Sequence, residues 1–258
     1  MDDNLIQLIR STIGGIKKPV RLVLFTSDAG CEACPDARLT AAAIRAHAPQ
    51  VAVEQYDLVM DRDKTDLYGI KRAPALVVQN EADHQVTFYG RVADVFFTVL
   101  LDCIRSASEK LPCFSSEVRS TLRRLTRGVR IQVFVEADCP LCRPVAQTAI
   151  GLAMESKLIL TDIVIASDYP DLLRKHGVKK LPKTIFGENL HMDGHVAEST
   201  FLEMIFQAEG LQPGQDRRCL ICSKVSEDII CVNCKNRIQA ESLVHKIKEE
   251  HSHGISSS

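Results

Sequence analysis

The sequence predicts an α/β protein built as two tandem copies of one unit, each a central mixed sheet flanked by helices, followed by a small C-terminal metal-binding knuckle. Three observations carry this. Eight of the ten cysteines form four CxxC pairs, Cys31/Cys34, Cys139/Cys142, Cys219/Cys222 and Cys231/Cys234. The first two pairs are offset by 108 residues (139 − 31), and so are Gly69-Ile70-Lys71-Arg72-Ala73-Pro74 and Gly177-Val178-Lys179-Lys180-Leu181-Pro182 (182 − 74). Short apolar, β-branched-rich runs alternate with helical stretches in the same order in both halves, as an internal duplication requires.

Taken in order, each half opens with an amphipathic helix, near Asn4 to Ile13 and Ser116 to Leu125. The runs Val20 to Phe25 and Val129 to Phe134 read as buried strands, each followed by a CxxC and an alanine-rich helical stretch, Leu39 to Ala48 and Val145 to Met154. Second strands follow near Val51 to Leu58 and Leu158 to Ile165, giving βαβ units whose strands are parallel. A short helix then leads to Pro74 or Pro182. Next come strands at Ala75 to Val78 and Val86 to Tyr89, with counterparts near Thr184 to Phe186 and Leu190 to Met192. A last amphipathic helix closes each half. The segment Gly90 to Phe97 matches Gly194 to Phe201 at an offset of 104, so the preceding connection is four residues shorter (108 − 104) in the second half. Domains are therefore expected at 1–108, 109–210 and 211–258.

Composition narrows the function. With 258 residues, a net charge of −1, 45% hydrophobic and 25% charged residues, the chain has no electrostatic reason to seek nucleic acid or an anionic membrane. MDDNLIQLIR lacks the apolar core of a secretory signal, and no apolar run approaches the roughly 20 residues of a membrane span. The expected place is the cytoplasm, where paired cysteines read as catalytic or metal-binding rather than as staples. Cys103 and Cys113 read as small buried hydrophobes.

A CxxC at a strand-to-helix junction puts its first sulfur at the helix N-terminus, where unpaired N–H groups favour a thiolate, with the second sulfur in reach on the same face. Pro74 and Pro182 each start a strand after a glycine turn, a place where the fold can fix a cis X-Pro bond. The backbone of Ala73 and Leu181 beside them can pair with an extended substrate. Joining both pairs into one four-cysteine metal site would leave the helix positions and the prolines without a purpose.

With these motifs, residues 1 to about 208 resemble the thioredoxin and glutaredoxin superfamily, and more closely its tandem protein disulfide oxidoreductases. The resemblance implies Cys31 and Cys139 as attacking thiols, Cys34 and Cys142 as resolving thiols, and Pro74 and Pro182 as cis prolines. Cys139-Pro140-Leu141-Cys142 looks like the glutaredoxin-type site, whereas Cys31-Glu32-Ala33-Cys34 departs from the common dipeptides. The implied activity is exchange with protein disulfides, re-reduced by a thioredoxin reductase-like or glutathione-linked donor. Alternatives are a dedicated electron carrier to a peroxidase, a duplicated fold with only its second site active, and a zinc-dependent redox-sensing adaptor or holdase. Glu32, Asp28 and Asp36 around the first pair disfavour a thiolate, while the second has Arg143 beside Cys142 and Glu136 and Asp138 before it; on this balance Cys139 is expected to be the more acidic thiol and to face protein substrates, with site one mainly a relay.

The tail pairs Cys219/Cys222 and Cys231/Cys234 are eight residues apart, and two such knuckles can present four thiolates to Zn²⁺ across a tight hairpin. So short a segment has little core of its own, so metal would supply its folding energy. Iron in the same set, or a further redox-active cysteine group, stays open. Gly210 to Gln215 reads as a linker, Glu241 to Glu250 as a solvated helix, and His251 to Ser258 as a disordered end; His245, His251 and His253 are expected to be solvated. No nucleotide-binding glycine motif is visible, so nicotinamide or flavin belongs to a separate reductase.

Overall fold

Away from the edge of the sheet the strands are apolar on both faces because both faces are covered, and alternate side chains feed two cores. A computed structural model describes residues 3–109, 114–210, 218–224, 226 and 228–254, with backbone alone from 245. The first half runs α1 (Asp3–Ile13), β1 (Val20–Thr26), α2 (Cys34–His47), β2 (Val51–Asp57), α3 (Arg62–Tyr68), β3 (Ala75–Asn80), β4 (Gln85–Tyr89) and α4 (Asp94–Glu109). The second repeats it as α5 (Ser116–Leu122), β5 (Val129–Val135), α6 (Cys142–Glu155), β6 (Ile159–Ile165), a 3-10 turn (Ala166–Asp168), α7 (Pro170–Lys175), β7 (Lys183–Phe186), β8 (Leu190–Asp193) and α8 (Glu198–Glu209). A last helix, α9 (Val232–Gly254), follows the tail cysteines.

Leu22, Leu24, Leu76, Val78 and Phe88 point into the core under α1, α2, α4, α5, α6 and α8. Val23, Phe25, Ala75, Val77 and Tyr89 point the other way, into a smaller core closed by α3 and α7. Each of these short helices ends before a glycine with positive φ, Gly69 at 66° after α3 and Gly177 at 57° past α7, the turn that aims the chain at Pro74 or Pro182.

The alanine-rich stretches underestimate α2 and α6, which begin at the second cysteine of each pair, Cys34 and Cys142. The first turn of a helix leaves its N–H groups unpaired, so Pro35 and Pro144 sit there without breaking a hydrogen bond, and apolar periodicity is silent over that turn. Cys31 and Cys139 therefore precede the helices rather than starting them.

The two halves share one sheet of eight strands, ordered β2-β1-β3-β4-β6-β5-β7-β8. Within each half the order is the same, and β4 pairs with β6 in parallel from Val86↔Thr161 to Tyr89↔Val164. The sheet ends at β2 and β8 among the described residues. β1, β2, β4, β5, β6 and β8 run in one direction and β3 and β7 in the other. The cysteine turns follow the ends of β1 and β5 and the prolines precede β3 and β7, so both turns and both prolines lie at one edge of the sheet.

Two polar anchors hold the second half. Asp162 on β6, with a side chain 2% exposed, accepts two hydrogen bonds from the Arg130 guanidinium at 2.7 and 3.0 Å and one from Gln132 at 3.2 Å. Glu209, at the end of α8, accepts from the Thr126 hydroxyl at 2.7 Å, the Thr126 N–H and the Arg127 N–H at 2.8 Å. Burial alone would raise the Glu209 pKa, but these donors and the Arg127 charge outweigh it and hold the carboxyl below its ordinary value.

Breaking the first anchor leaves a half-buried guanidinium without its carboxylate. Asp162→Ala is expected to cost about 3 kcal/mol in urea denaturation, whereas the double variant Asp162→Leu/Arg130→Met costs less than about 1 kcal/mol. For the second, a folded-state pKa below the unfolded one means stability present above the unfolded pKa and lost as pH falls through the folded value. Glu209→Gln is thus expected to cost about 2 kcal/mol at pH 7, with the gap to the parent closing as pH falls below the ordinary glutamate range and the parent carboxyl protonates.

Candidate functional site

Site one forms where β1 ends. Cys31 is half-buried in the turn before α2, Cys34 is buried as the first residue of the helix, and the Cys34 N–H donates to the Cys31 carbonyl at 3.3 Å. Site two repeats the arrangement, with Cys139 half-buried, Cys142 fully buried and a Cys142 N–H to Cys139 carbonyl bond of 3.1 Å. Both pairs are disulfide-bonded, with Cα–Cα separations of 5.4 Å. In each, the outer sulfur is the one an incoming group meets, and the inner one is shielded; the Cys34 sulfur also accepts from the Ser27 N–H at 3.4 Å.

The peptide bonds Ala73–Pro74 and Leu181–Pro182 are cis. Phe25 pairs with Ala75 across β1 and β3, and Phe134 with Lys183 across β5 and β7, so each proline emerges at the same sheet end as its cysteine turn. The Pro74 carbonyl accepts from the Gly90 N–H at 3.1 Å and the Pro182 carbonyl from the Gly194 N–H at 2.8 Å. A cavity of about 570 Å³ opens beside Cys31, with Ala73, Pro74, Ser167, Asp168 and Tyr169 among its walls.

Charge around site one is less one-sided than the sequence suggests. Asp28 pairs with Arg38 at 2.9 Å and Asp36 with Arg91 at 2.8 Å, leaving exposed Glu32 as the acid inside the pair. At site two, Arg143 is drawn toward Asp102 at 3.7 Å and the Glu136 carboxylate accepts the Ser167 N–H at 2.9 Å. The expected gap in thiol acidity therefore rests on Glu32 and not on three carboxylates.

The relay expected of site one meets a geometric obstacle. Four strand spacings separate β1 from β5 in the sheet order, which at roughly 4.8 Å each is on the order of 20 Å. Disulfide exchange needs the sulfurs in contact.

The segment between the sites is what sequence reasoning missed. The turn and first residues after β6 touch both. Ser167 bonds to Glu136 before Cys139, Asp168 accepts the Arg91 N–H, and the buried Tyr169 hydroxyl donates to the Pro74 carbonyl at 3.1 Å. Tyr169 also meets Tyr89 edge-on at 6.4 Å. The one sequence signal is divergence: at the repeat offset, Ser167-Asp168-Tyr169 replaces Val59-Met60-Asp61.

The tail cysteines converge. The sulfurs of Cys219, Cys222, Cys231 and Cys234 lie within 4.8 Å of one another, and those of Cys222 and Cys231 are 3.7 Å apart. Four thiolates at about 2.3 Å from a central Zn²⁺ would stand roughly 3.8 Å from each other, so the donor set fits a tetrahedral ion. Backbone N–H groups of Ile221 and Cys231 donate to the Cys219 sulfur at 3.4 and 3.3 Å. Burial raises the Cys219 pKa, but these and the Cys222 N–H outweigh it and bring the thiol down to about 7, while burial and the neighbouring thiols push Cys234 up.

The knuckle is fastened to the second half rather than set apart from it. Cys219, Leu220, Ile229, Ile230, Cys234 and Ile238 join the large core. Arg237 pairs with Glu117 of α5 (Nε–Oε2 2.8 Å), Lys235 with Glu203 of α8 at 2.8 Å, and the Ser242 hydroxyl with Glu198 at 2.7 Å. The backbone of α9 stays helical to Gly254. The linker after Gly210 and residues 255–258 lie outside the described residues, as do Cys113 and the side chains of His245, His251 and His253; Cys103 is buried in α4. The His176 ring meets Phe134 tilted, centroids 5.7 Å apart, and its pKa is lowered by burial and then by Lys175, Lys183 and Arg72. No described helix is long and apolar enough to cross a membrane.

Known proteins share this architecture. A thioredoxin domain family model matches residues 129–207. A protein disulfide oxidoreductase from Aeropyrum pernix aligns over 81% of this chain and 94% of its own at 24% identity and a TM-score of 0.74. The alkylhydroperoxide reductase protein AhpF from Enterococcus faecalis aligns over 80% and 99% at 17% identity and a TM-score of 0.72. No curated protein sequence matches the chain. The chain therefore has a thioredoxin-like fold, with residues 129–207 matching the thioredoxin domain family and the same strand order laid down once more ahead of them.

Proposed function

We propose that the chain is a thiol–disulfide oxidoreductase acting on protein disulfides through two cysteine pairs, one in each of the units 1–108 and 109–210. The observation that carries the reading is the pairing, made twice, of a half-exposed outer sulfur and a buried inner sulfur with a cis proline at the same sheet end. In the reduced protein the Cys31 or Cys139 thiolate attacks a substrate disulfide, forming a mixed disulfide and expelling one substrate thiolate. Cys34 or Cys142 loses its proton and attacks the mixed disulfide, expelling the second thiolate and leaving the protein oxidised by two electrons. Ala73 and Leu181 offer backbone groups to the extended substrate beside the sulfur. A separate dithiol or glutathione-linked donor restores the protein in the cytoplasm.

The spacing of the sites along the sheet favours two pairs that are each reduced from outside over a direct relay within one chain. A second reading, an electron carrier to a peroxidase, draws on the likeness to the alkylhydroperoxide reductase protein. That likeness is one of fold, and the presence of a pair in both halves suits an enzyme with two independent sites. An adaptor or holdase that held metal at Cys31/Cys34 and Cys139/Cys142 would need those thiols free, which their disulfides speak against; one that only senses oxidation is separated from the enzyme by the insulin assay. The tail, 211–258, is read as a zinc knuckle that fastens α9 to α5 and α8, its four thiolates supplied by Cys219, Cys222, Cys231 and Cys234.

In dithiothreitol-driven insulin reduction, Cys139→Ser is expected to lower turnover at least tenfold and Cys31→Ser to spare most of it. The double variant falls to the dithiothreitol background, and any reduction above it would overturn the assignment. Elemental analysis is expected to find one zinc per chain in the parent and in both of these variants, and none in Cys231→Ser. Loss of the metal is expected to lower the melting temperature by about 5–10 °C, the effect of a few kcal/mol in a chain of this size; a count of two would favour the adaptor.

A further inference from the structure

The two cysteine sites repeat in sequence but not in surroundings, because the sheet continues past one and stops beside the other. Beyond β3 of site one lie β4 and then β6, whose outgoing segment Ser167–Pro170 stands over the cysteine turn. Beyond β7 of site two lies β8, the last strand among the described residues. We propose that Ser167–Pro170 of the second unit is a specificity-determining wall of site one, which restricts Cys31 to slender, low-mass disulfides and leaves Cys139 to disulfides on protein surfaces.

This rests on the exchange activity proposed above and narrows it, leaving protein disulfides to site two alone. The cavity between Cys31 and the wall, about 570 Å³, is the size of a small-molecule pocket. Its floor is the Ala73–Pro74 segment, the backbone a substrate would pair with, and its far side is Ser167, Asp168, Tyr169 and Pro170. The wall is pinned rather than loose. The Asp168 carboxylate accepts the Arg91 N–H, Arg72 pairs with Asp171 at 2.8 Å, and the buried Tyr169 hydroxyl holds the Pro74 carbonyl, which also accepts from Gly90. Any added side chain at Gly90 would meet Asp168 at 2.7 Å, so the two halves are in close contact there. A folded protein would have to push this contact apart to bring its disulfide to Cys31, whereas a disulfide with two-carbon arms enters without moving it. The divergence of Ser167-Asp168-Tyr169 from Val59-Met60-Asp61 fits the same role. In the first unit that segment follows β2, an edge strand among the described residues, and leaves Val59 and Met60 exposed.

The test uses full-length protein with one working pair, Cys139→Ser/Cys142→Ser for site one and Cys31→Ser/Cys34→Ser for site two. Each is reduced, freed of reductant and mixed with excess bis(2-hydroxyethyl) disulfide or insulin, and the remaining thiols are counted over time by maleimide mass shift. The ratio of the small-disulfide rate to the insulin rate is expected to be at least tenfold larger for site one than for site two. Asp168→Ala, which unpins the wall, is expected to lower the site-one ratio at least threefold and leave the site-two ratio unchanged. Tyr169→Phe keeps the buried ring, removes only the hydroxyl and moves the site-one ratio in the same direction. Equal ratios at two reactive sites, or a change shared by both sites in either wall variant, would overturn the wall while leaving exchange intact. Failure of both sites with both disulfides would overturn the exchange reading and the wall together.

Discussion

The parallel pairing of β4 with β6 is the constraint on which the molecule depends. Each half brings four strands in the order second, first, third, fourth, and the fourth is an edge with unpaired N–H and C=O groups. Joining that edge to the second strand of the next half satisfies it and makes one sheet of two repeats. Because the joined strands are parallel, the second half follows by continuation and not by a two-fold turn. Both cysteine turns consequently open at the same edge of the sheet, several strands apart, and the segment leaving β6 passes between them.

That continuation makes the sites unequal with little change in their own residues. Cys31 with Cys34 and Cys139 with Cys142 have nearly the same backbone, the same inner burial and the same proline neighbour. The difference lies in Tyr169 and Asp168, which reach one site from the other half. Electrostatics work the same way: the partners of Asp36 and Arg143 are Arg91 and Asp102, distant in sequence and brought in by the fold.

The tail shows how a segment too short for a core borrows one. Its four sulfurs draw together under backbone donors, and Ile229, Ile230 and Ile238 extend the core beneath α8. Ion pairs from Lys235 and Arg237 fix the orientation of α9 on the second half. Metal held at the knuckle would thus be felt by the unit that carries Cys139, through packing and not through proximity of the sulfurs.

The sequence by itself determined the duplication, the alternation of strands and helices, the positions of both cysteine pairs, both prolines and the four-cysteine tail. These are local facts: a repeat offset, a spacing of CxxC and an apolar period each report on residues near one another in the chain. The alanine-rich stretches began α2 and α6 too late, because apolar period does not extend over a first turn whose N–H groups lack intrahelical partners and admit proline; the strand-to-helix placement of each CxxC carried the start instead. Only the tertiary structure decided that the halves share one sheet, that roughly four strand spacings part the sites, and that Tyr169 supports Pro74 from 95 residues away. An edge strand's choice of partner leaves no periodicity in either strand, and a side chain that completes a distant site is chosen by that site's geometry and not by its own neighbours.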